Sequence, residues 1–137
     1  MTKVILITGT STGIGLETAV RLAEQGHQVY ATMRNLEKRS LLEQEAEKRN
    51  VKLRIRQLDV QDEKSIQSCV AEIISNENKI DVLINNAGAG FIKPMEQASM
   101  DEIQQVMDIN FYGVIRCCKA VMPYMRQQKS GHIINIS

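Results

Sequence analysis

The chain has 137 residues, with 17 basic and 16 acidic side chains, three cysteines and 43% hydrophobic residues. A single domain of that length buries roughly two-thirds of the surface its unfolded form exposes, enough for a core without staples. The balanced charge, the odd number of cysteines without metal spacing and the lack of a membrane-length apolar run argue against a nucleic-acid binder, a disulfide scaffold, a metal site and a membrane span.

Val4-Ile5-Leu6-Ile7 is a short apolar run that reads as a buried parallel strand. It empties into Thr8-Gly9-Thr10-Ser11-Thr12-Gly13-Ile14-Gly15, which opens the amphipathic stretch Leu16 to Gln25. Three glycines let the backbone turn sharply and approach an anion with no Cβ in the way, and a helix starting there aims unpaired N–H groups at phosphates. The segment predicts a diphosphate cradle in the spacing Gly-x-x-x-Gly-x-Gly; a glycine-rich surface turn without a ligand is the plain alternative.

Gly26 stops the first helix, Gln28 to Thr32 reads as a second strand, and Asn35 is placed to cap a helix running to about Arg49 through Leu41, Leu42 and Ala46. Lys52 to Arg56 alternates polar and apolar residues, as a strand near a sheet edge does, and the segment ends at Leu58-Asp59-Val60. The basic cluster of Lys48, Arg49, Lys52, Arg54 and Arg56 fits a solvated strand edge. A helix from Asp62 to Ser75 carries Ile66, Cys69, Val70, Ile73 and Ile74 on one face. The fourth strand, Asp81 to Ile84, is stopped by Asn85-Asn86-Ala87-Gly88.

Ser99 and Glu102 stand in capping-box spacing at the start of the longest helix. Its apolar stripe of Ile103, Val106, Met107, Phe111, Val114, Ile115, Cys118, Val121 and Met122 is expected to face the core, with Pro123 bending or ending it. Ser130-Gly131 turns the chain into a last strand, His132 to Ile136.

Five strands alternating with four helices imply an α/β, Rossmann-like doubly wound parallel sheet of order 3-2-1-4-5, with the glycine turn at the switch point. Residues 1–137 then form one nucleotide-binding domain that is incomplete, truncated after the fifth strand, with one side of the last two strands bare. The expected consequence is marginal stability, a tendency to aggregate, or dependence on a partner. Met1-Thr2-Lys3 leads straight into the first strand, so no signal peptide and a cytoplasmic setting are expected, with Cys69, Cys117 and Cys118 serving in packing.

The motifs together resemble the first half of a classical short-chain dehydrogenase/reductase, over Thr2 to Ser137. They are the glycine segment Thr8 to Gly15, Asp59-Val60, Asn85-Asn86-Ala87-Gly88, Asn110, and Gly131 to Ser137. Val29 to Arg34 and Ile80 to Gly90 look most like the steroid and retinoid branch. The resemblance implies an oxidoreductase that interconverts a small-molecule alcohol and carbonyl by hydride transfer, and a homo-oligomer in full-length form. It implies cofactor contacts from Gly9, Ser11, Thr12, Gly13, Ile14 and Gly15, from Asp59 and Val60 at the adenine, and from Asn86, Ala87 and Gly88 at the riboses. An aspartate that merely caps a turn is the ordinary alternative for Asp59.

Charge points to NADP rather than NAD. An acid after the second strand would hold the ribose hydroxyls of NAD and repel the phosphate of NADP. Here Met33 stands in that place and Arg34 follows, a guanidinium able to hold a phosphate, with the Ser11 and Thr12 hydroxyls nearby. Arg34 as a simple surface charge is the alternative.

Asn110 falls seven residues after Ile103, on the apolar stripe, where an amide needs partners. The resemblance gives it a catalytic part: it holds a water in a proton relay and bends the helix. The alternative is an amide that satisfies a neighbouring backbone group. The family's catalytic serine would come one residue after Ser137, and no tyrosine here is followed four residues later by lysine. Residues 1–137 alone are therefore expected to be inactive. A non-catalytic NADP-binding module is the competing reading.

Overall fold

Strand β1 (Val4–Ile7) is buried at all four positions because it has strands on both sides and helices on both faces. The computed structural model describes residues 1–137. After β1 come α1 (Gly13–Glu24), β2 (Gln28–Met33), α2 (Ser40–Lys48), β3 (Arg54–Gln57), α3 (Glu63–Glu77), β4 (Val82–Asn85), α4 (Met100–Met107), α5 (Gly113–Gln128) and β5 (His132–Asn135). The sheet order is β3-β2-β1-β4-β5, and every pairing is parallel. This is the doubly wound order expected from the alternation of strands and helices, and it puts the β1 and β4 loops side by side at the switch point.

Two core layers sandwich the sheet. On one face Ile5, Ile7, Val29, Ala31 and Ile84 pack with Ala19, Val20 and Leu42 of α1 and α2. On the other, Val4, Leu6, Tyr30 and Leu83 pack with Ile66, Ile73, Cys117 and Val121 of α3 and α5. Ile134 pairs in register with Ile84 but is 46% exposed, because α1 and α2 do not reach over β5. No helix is long and apolar enough to cross a membrane.

Several local expectations change. Asn35 caps a single 3-10 turn, Leu36–Lys38, and α2 starts only at Ser40. Of the basic cluster, Arg49 binds Glu17 and Glu45, and Arg56 binds Glu72, so these two are tied to helices and not merely solvated. Ser99 and Glu102 do form a capping box, but the long helix is interrupted by a π turn at Asp108–Tyr112. Pro123 sits inside α5 without ending it.

The π turn also corrects the expected core stripe. Each π turn takes up one extra residue, which rotates everything after it by about 100° relative to a continuous α-helix. The buried positions of α5 are therefore Gly113, Cys117, Val121 and Met125, while Ile115 and Met122 turn outward; Met107 ahead of the π turn and Phe111 within it are exposed as well.

Candidate functional site

The turn between β1 and α1 is shaped by glycines that do different work. Gly9 (φ +70°) and Gly13 (φ +61°) are both left-handed, a conformation that strains any residue with a side chain. A Cβ on Gly9 would lie 2.7 Å from Ala87 Cα, and one on Gly15 would overlap the Gly9 carbonyl and the Asn86 side chain. Those two glycines are required by close packing. Around Gly13 nothing lies within 4 Å of the place a Cβ would take, so that side of the turn is open.

None of the backbone amides from Ser11 to Gly15 donates to an acceptor within the chain, and the Thr12 side chain does not cap the helix. The first turn of α1 also carries no acidic residue, so nothing offsets the positive end of the helix dipole.

The end of β4 is stitched to this turn through Thr8. Its buried hydroxyl accepts from the amides of Asn86 at 3.1 Å and Ala87 at 3.0 Å. Asn86 Nδ2 donates in return to the carbonyls of Thr8 at 3.2 Å and Gly9 at 2.9 Å. Sequence reasoning missed Thr8, and its signal was a hydroxyl between a buried strand and a glycine. Asn85, one residue earlier, is buried with Nδ2 donating to Asn135 Oδ1 at 2.9 Å, while its Oδ1 finds no donor.

A cleft of about 450 Å³ opens between these loops at the carboxyl end of the sheet. Gly9, Ser11, Thr12, Gly13, Ile14, Arg34, Asp59, Val60, Asn86, Ala87 and Gly88 all line it. Gly15 is buried behind the turn and does not. Met33, Leu58, Gln61, Ala89 and Ile109 complete the walls without having been picked as site residues.

The guanidinium of Arg34, exposed at the rim, makes no ion pair or hydrogen bond within the chain, although the Arg34 carbonyl accepts from Gln57 Nε2. Asp59 Oδ1 accepts from the Gln61 amide at 2.9 Å, an Asx turn that leaves Oδ2 without a donor.

Asn110 departs from expectation. It is exposed and lies in the π turn, off any buried stripe, with its side chain on the backbone of Ala89. It faces a second hollow of about 610 Å³, shared with Gly88, Gly90, Val114, Ile136 and Ser137. The nearby Asp108 carboxyl is held below the usual carboxylate range by Arg116 and then by Gln61. Burial pushes the thiols of Cys69 and Cys117 up to about 12, which suits packing rather than reactivity.

Unused amides beside an open position over Gly13 and an unopposed helix terminus are what a diphosphate ester requires, and a free guanidinium stands at the rim of the same cleft. The residues present therefore fit a dinucleotide.

Comparison with known proteins gives the same direction. The family model described as short chain dehydrogenase matches residues 3–137. The chain is 44% identical over 136 residues to 3-ketodihydrosphingosine reductase of Bacteroides thetaiotaomicron, covering 98% of this chain and 46% of that protein. It is also 44% identical over 139 residues to human retinol dehydrogenase 8, covering 98% of this chain and 44% of the relative. The chain thus spans less than half the length of these two curated relatives.

Among solved structures, an actinorhodin polyketide ketoreductase variant with NADPH superposes with a TM-score of 0.91 at 31% identity, over 99% of this chain and 53% of that one. An NAD+-bound xylitol dehydrogenase does so with a TM-score of 0.88 at 35% identity, over 97% of this chain and 52% of that one. The glycine turn, the parallel sheet and the extent of these matches have one reading: the chain belongs to the short-chain dehydrogenase family.

Proposed function

We propose that residues 1–137 are the NADP-binding half of an oxidoreductase that interconverts an alcohol and a carbonyl. The observation that carries the reading is the run of undonated amides from Ser11 to Gly15 beside an open Gly13, with the unpaired Arg34 guanidinium at the rim of the same cleft. The amides of Gly13 and Ile14 hold the diphosphate, and buried Gly15 behind them lets α1 start close against Gly9 and Asn86. Arg34, with Ser11 and Thr12, holds the 2′-phosphate, and buried Met33 leaves no carboxylate to repel it. Asp59 and Val60 meet the adenine, and Asn86, Ala87 and Gly88 let the riboses approach the sheet.

When bound, a nicotinamide dinucleotide supplies the hydride carrier. Asn110 keeps one Nδ2 hydrogen and one Oδ1 lone pair beyond its bonds to Ala89, so it can still hold a water for a proton relay. The names of the relatives point to an apolar alcohol or ketone, and exposed Phe91 and Ile92 after β4 support that. The exposed Met107, Phe111, Ile115 and Met122 support a homo-oligomer.

The test is calorimetric titration of the chain with NADPH and with NADH. Binding of NADPH about tenfold tighter than NADH is expected. Retention of neither nucleotide by folded protein overturns the proposal.

A further inference from the structure

Behind the cleft, one guanidinium ties three segments together. Arg116 of α5 donates through Nη1 to the Val60 carbonyl at 3.0 Å and to the Asp108 carbonyl at 3.3 Å, and through Nη2 to Asp108 Oδ1 at 2.5 Å. Gln61 Nε2 closes the arrangement by donating to Asp108 Oδ2 at 3.1 Å. Gly113 lets α5 come this close, since a Cβ there would sit 2.9 Å from Val60 Cβ.

The effect is to immobilise the two peptides around Val60. The Asp59 carbonyl accepts from Ser65 Oγ at 3.1 Å and from the Asp62 amide at 2.9 Å. In a planar trans peptide the N–H points opposite to the carbonyl, so the Val60 amide is turned away from α3. That amide donates to nothing in the chain, and Val60 lines the cleft. The following peptide is fixed at its carbonyl by Arg116 and at its amide by Asp59 Oδ1.

We infer that Arg116 is a positioning residue, which orients the Val60 peptide for the adenosine end of the bound nucleotide and ties that loop to the turn carrying Asn110. The inference rests on the nucleotide-binding reading above. The far arm runs through Asp108, the first residue of the π turn, to Asn110 and from there to Ala89 at the end of β4. Only a planar fork reaches the carbonyl of Val60 and both acceptors of Asp108 together; a lysine ammonium on a flexible stem does not. Asp108 is held below and Arg116 above its ordinary pKa by their mutual hydrogen bond, so the pair stays charged at neutral pH.

The 137-residue chain and its Arg116→Met and Arg116→Lys variants are titrated calorimetrically with two probes. Adenosine 2′,5′-bisphosphate reports on the adenosine end, and inorganic pyrophosphate reports on the glycine turn alone. Arg116→Met is expected to weaken the bisphosphate about tenfold and Arg116→Lys about threefold, with pyrophosphate affinity unchanged. In nitrogen-proton spectra the Ala89 amide shifts when the bisphosphate binds wild type, and that response is lost in Arg116→Met.

Equal loss of both probes marks a general loosening and overturns the inference. Unchanged bisphosphate affinity in the folded variants also overturns it, and Arg116→Lys decides alone if Arg116→Met does not fold. If wild type binds neither probe, the nucleotide-binding reading fails and this one falls with it. Wild-type binding with indifferent variants sinks this inference only.

Discussion

Asn110 grips Ala89 at both backbone groups: Nδ2 donates to the Ala89 carbonyl at 2.7 Å and Oδ1 accepts from the Ala89 amide at 2.8 Å. The pair spans 21 residues of sequence and fixes the loop after β4 against the π turn. One amide side chain thus replaces what a further strand pairing would do for that loop.

Replacing Asn110 with Leu removes both bonds. Because the site is exposed, water takes over part of the loss, and the expected cost is about 1 kcal/mol of stability. Hydrogen exchange at the Ala89 amide should rise sharply. Asn110→Asp keeps the acceptor and loses the donor, so Ala89 should stay protected in that variant. Unaltered exchange in Asn110→Leu would show that the bond does not hold the loop.

Gly9 and Gly13 separate folding from binding. Gly9→Ala combines a left-handed φ with a Cβ 2.7 Å from Ala87 Cα, and the expected destabilisation in urea is about 2–4 kcal/mol. Gly13→Ala shares the backbone strain but meets no atom within 4 Å, so it should cost only about 1 kcal/mol. Its methyl stands where the ligand would lie, so NADPH affinity should fall in a protein that still folds. Equal stability loss in both variants, with intact binding in Gly13→Ala, would contradict the assignment.

Arg34→Asp places a carboxylate at the cleft rim in place of a free guanidinium. NADPH affinity is expected to fall by about tenfold or more, and NADH affinity to hold or improve. Paired fluorescence titrations of the two reduced nucleotides measure this. A loss of the same size for both would refute a 2′-phosphate contact.

Acid should destabilise the chain within a defined window. The Glu17 carboxyl is held down at about 2 by Arg49 first and Arg21 second. Burial raises the Asp81 pKa, but the Val4 amide, at 2.7 Å, and Lys79 together leave it below its ordinary value of 3.8. For such depressed carboxylates the stabilising contribution is complete above the unfolded pKa and is lost as pH falls through the folded one. For Glu17 the decline therefore runs from about 4.5 down to about 2. Urea midpoints measured from neutral pH downward should fall in that range, less so at high salt because these groups are partly solvated. The Glu17→Gln variant should give a flatter curve. An identical pH profile for wild type and variant would exclude Glu17 as a source of the acid sensitivity.

The sequence by itself determined the strand order, the glycine turn and most of the cleft. Those features follow from local rules: apolar runs of four residues make buried strands, spaced glycines make an anion-sized turn, and alternation forces right-handed crossovers. Ser11, Arg34, Asp59 and Ala87 are legible as cleft-lining residues because each sits just beyond a strand end, on the edge where an open parallel sheet leaves a crevice. Thr8 was not, since a hydroxyl that accepts from the amides of Asn86 and Ala87 is defined by a loop 78 residues away.

Only the tertiary structure decided the face of the long helix and the place of Asn110. A helical period counted along the chain assumes constant winding. The π turn at Asp108–Tyr112 breaks that assumption, held as it is by Arg116 against Val60 and by Asn110 against Ala89. Those bonds join segments remote in sequence, so no local pattern announces them. They move Phe111 and Ile115 outward and bring Cys117 and Met125 into the core beside Val121.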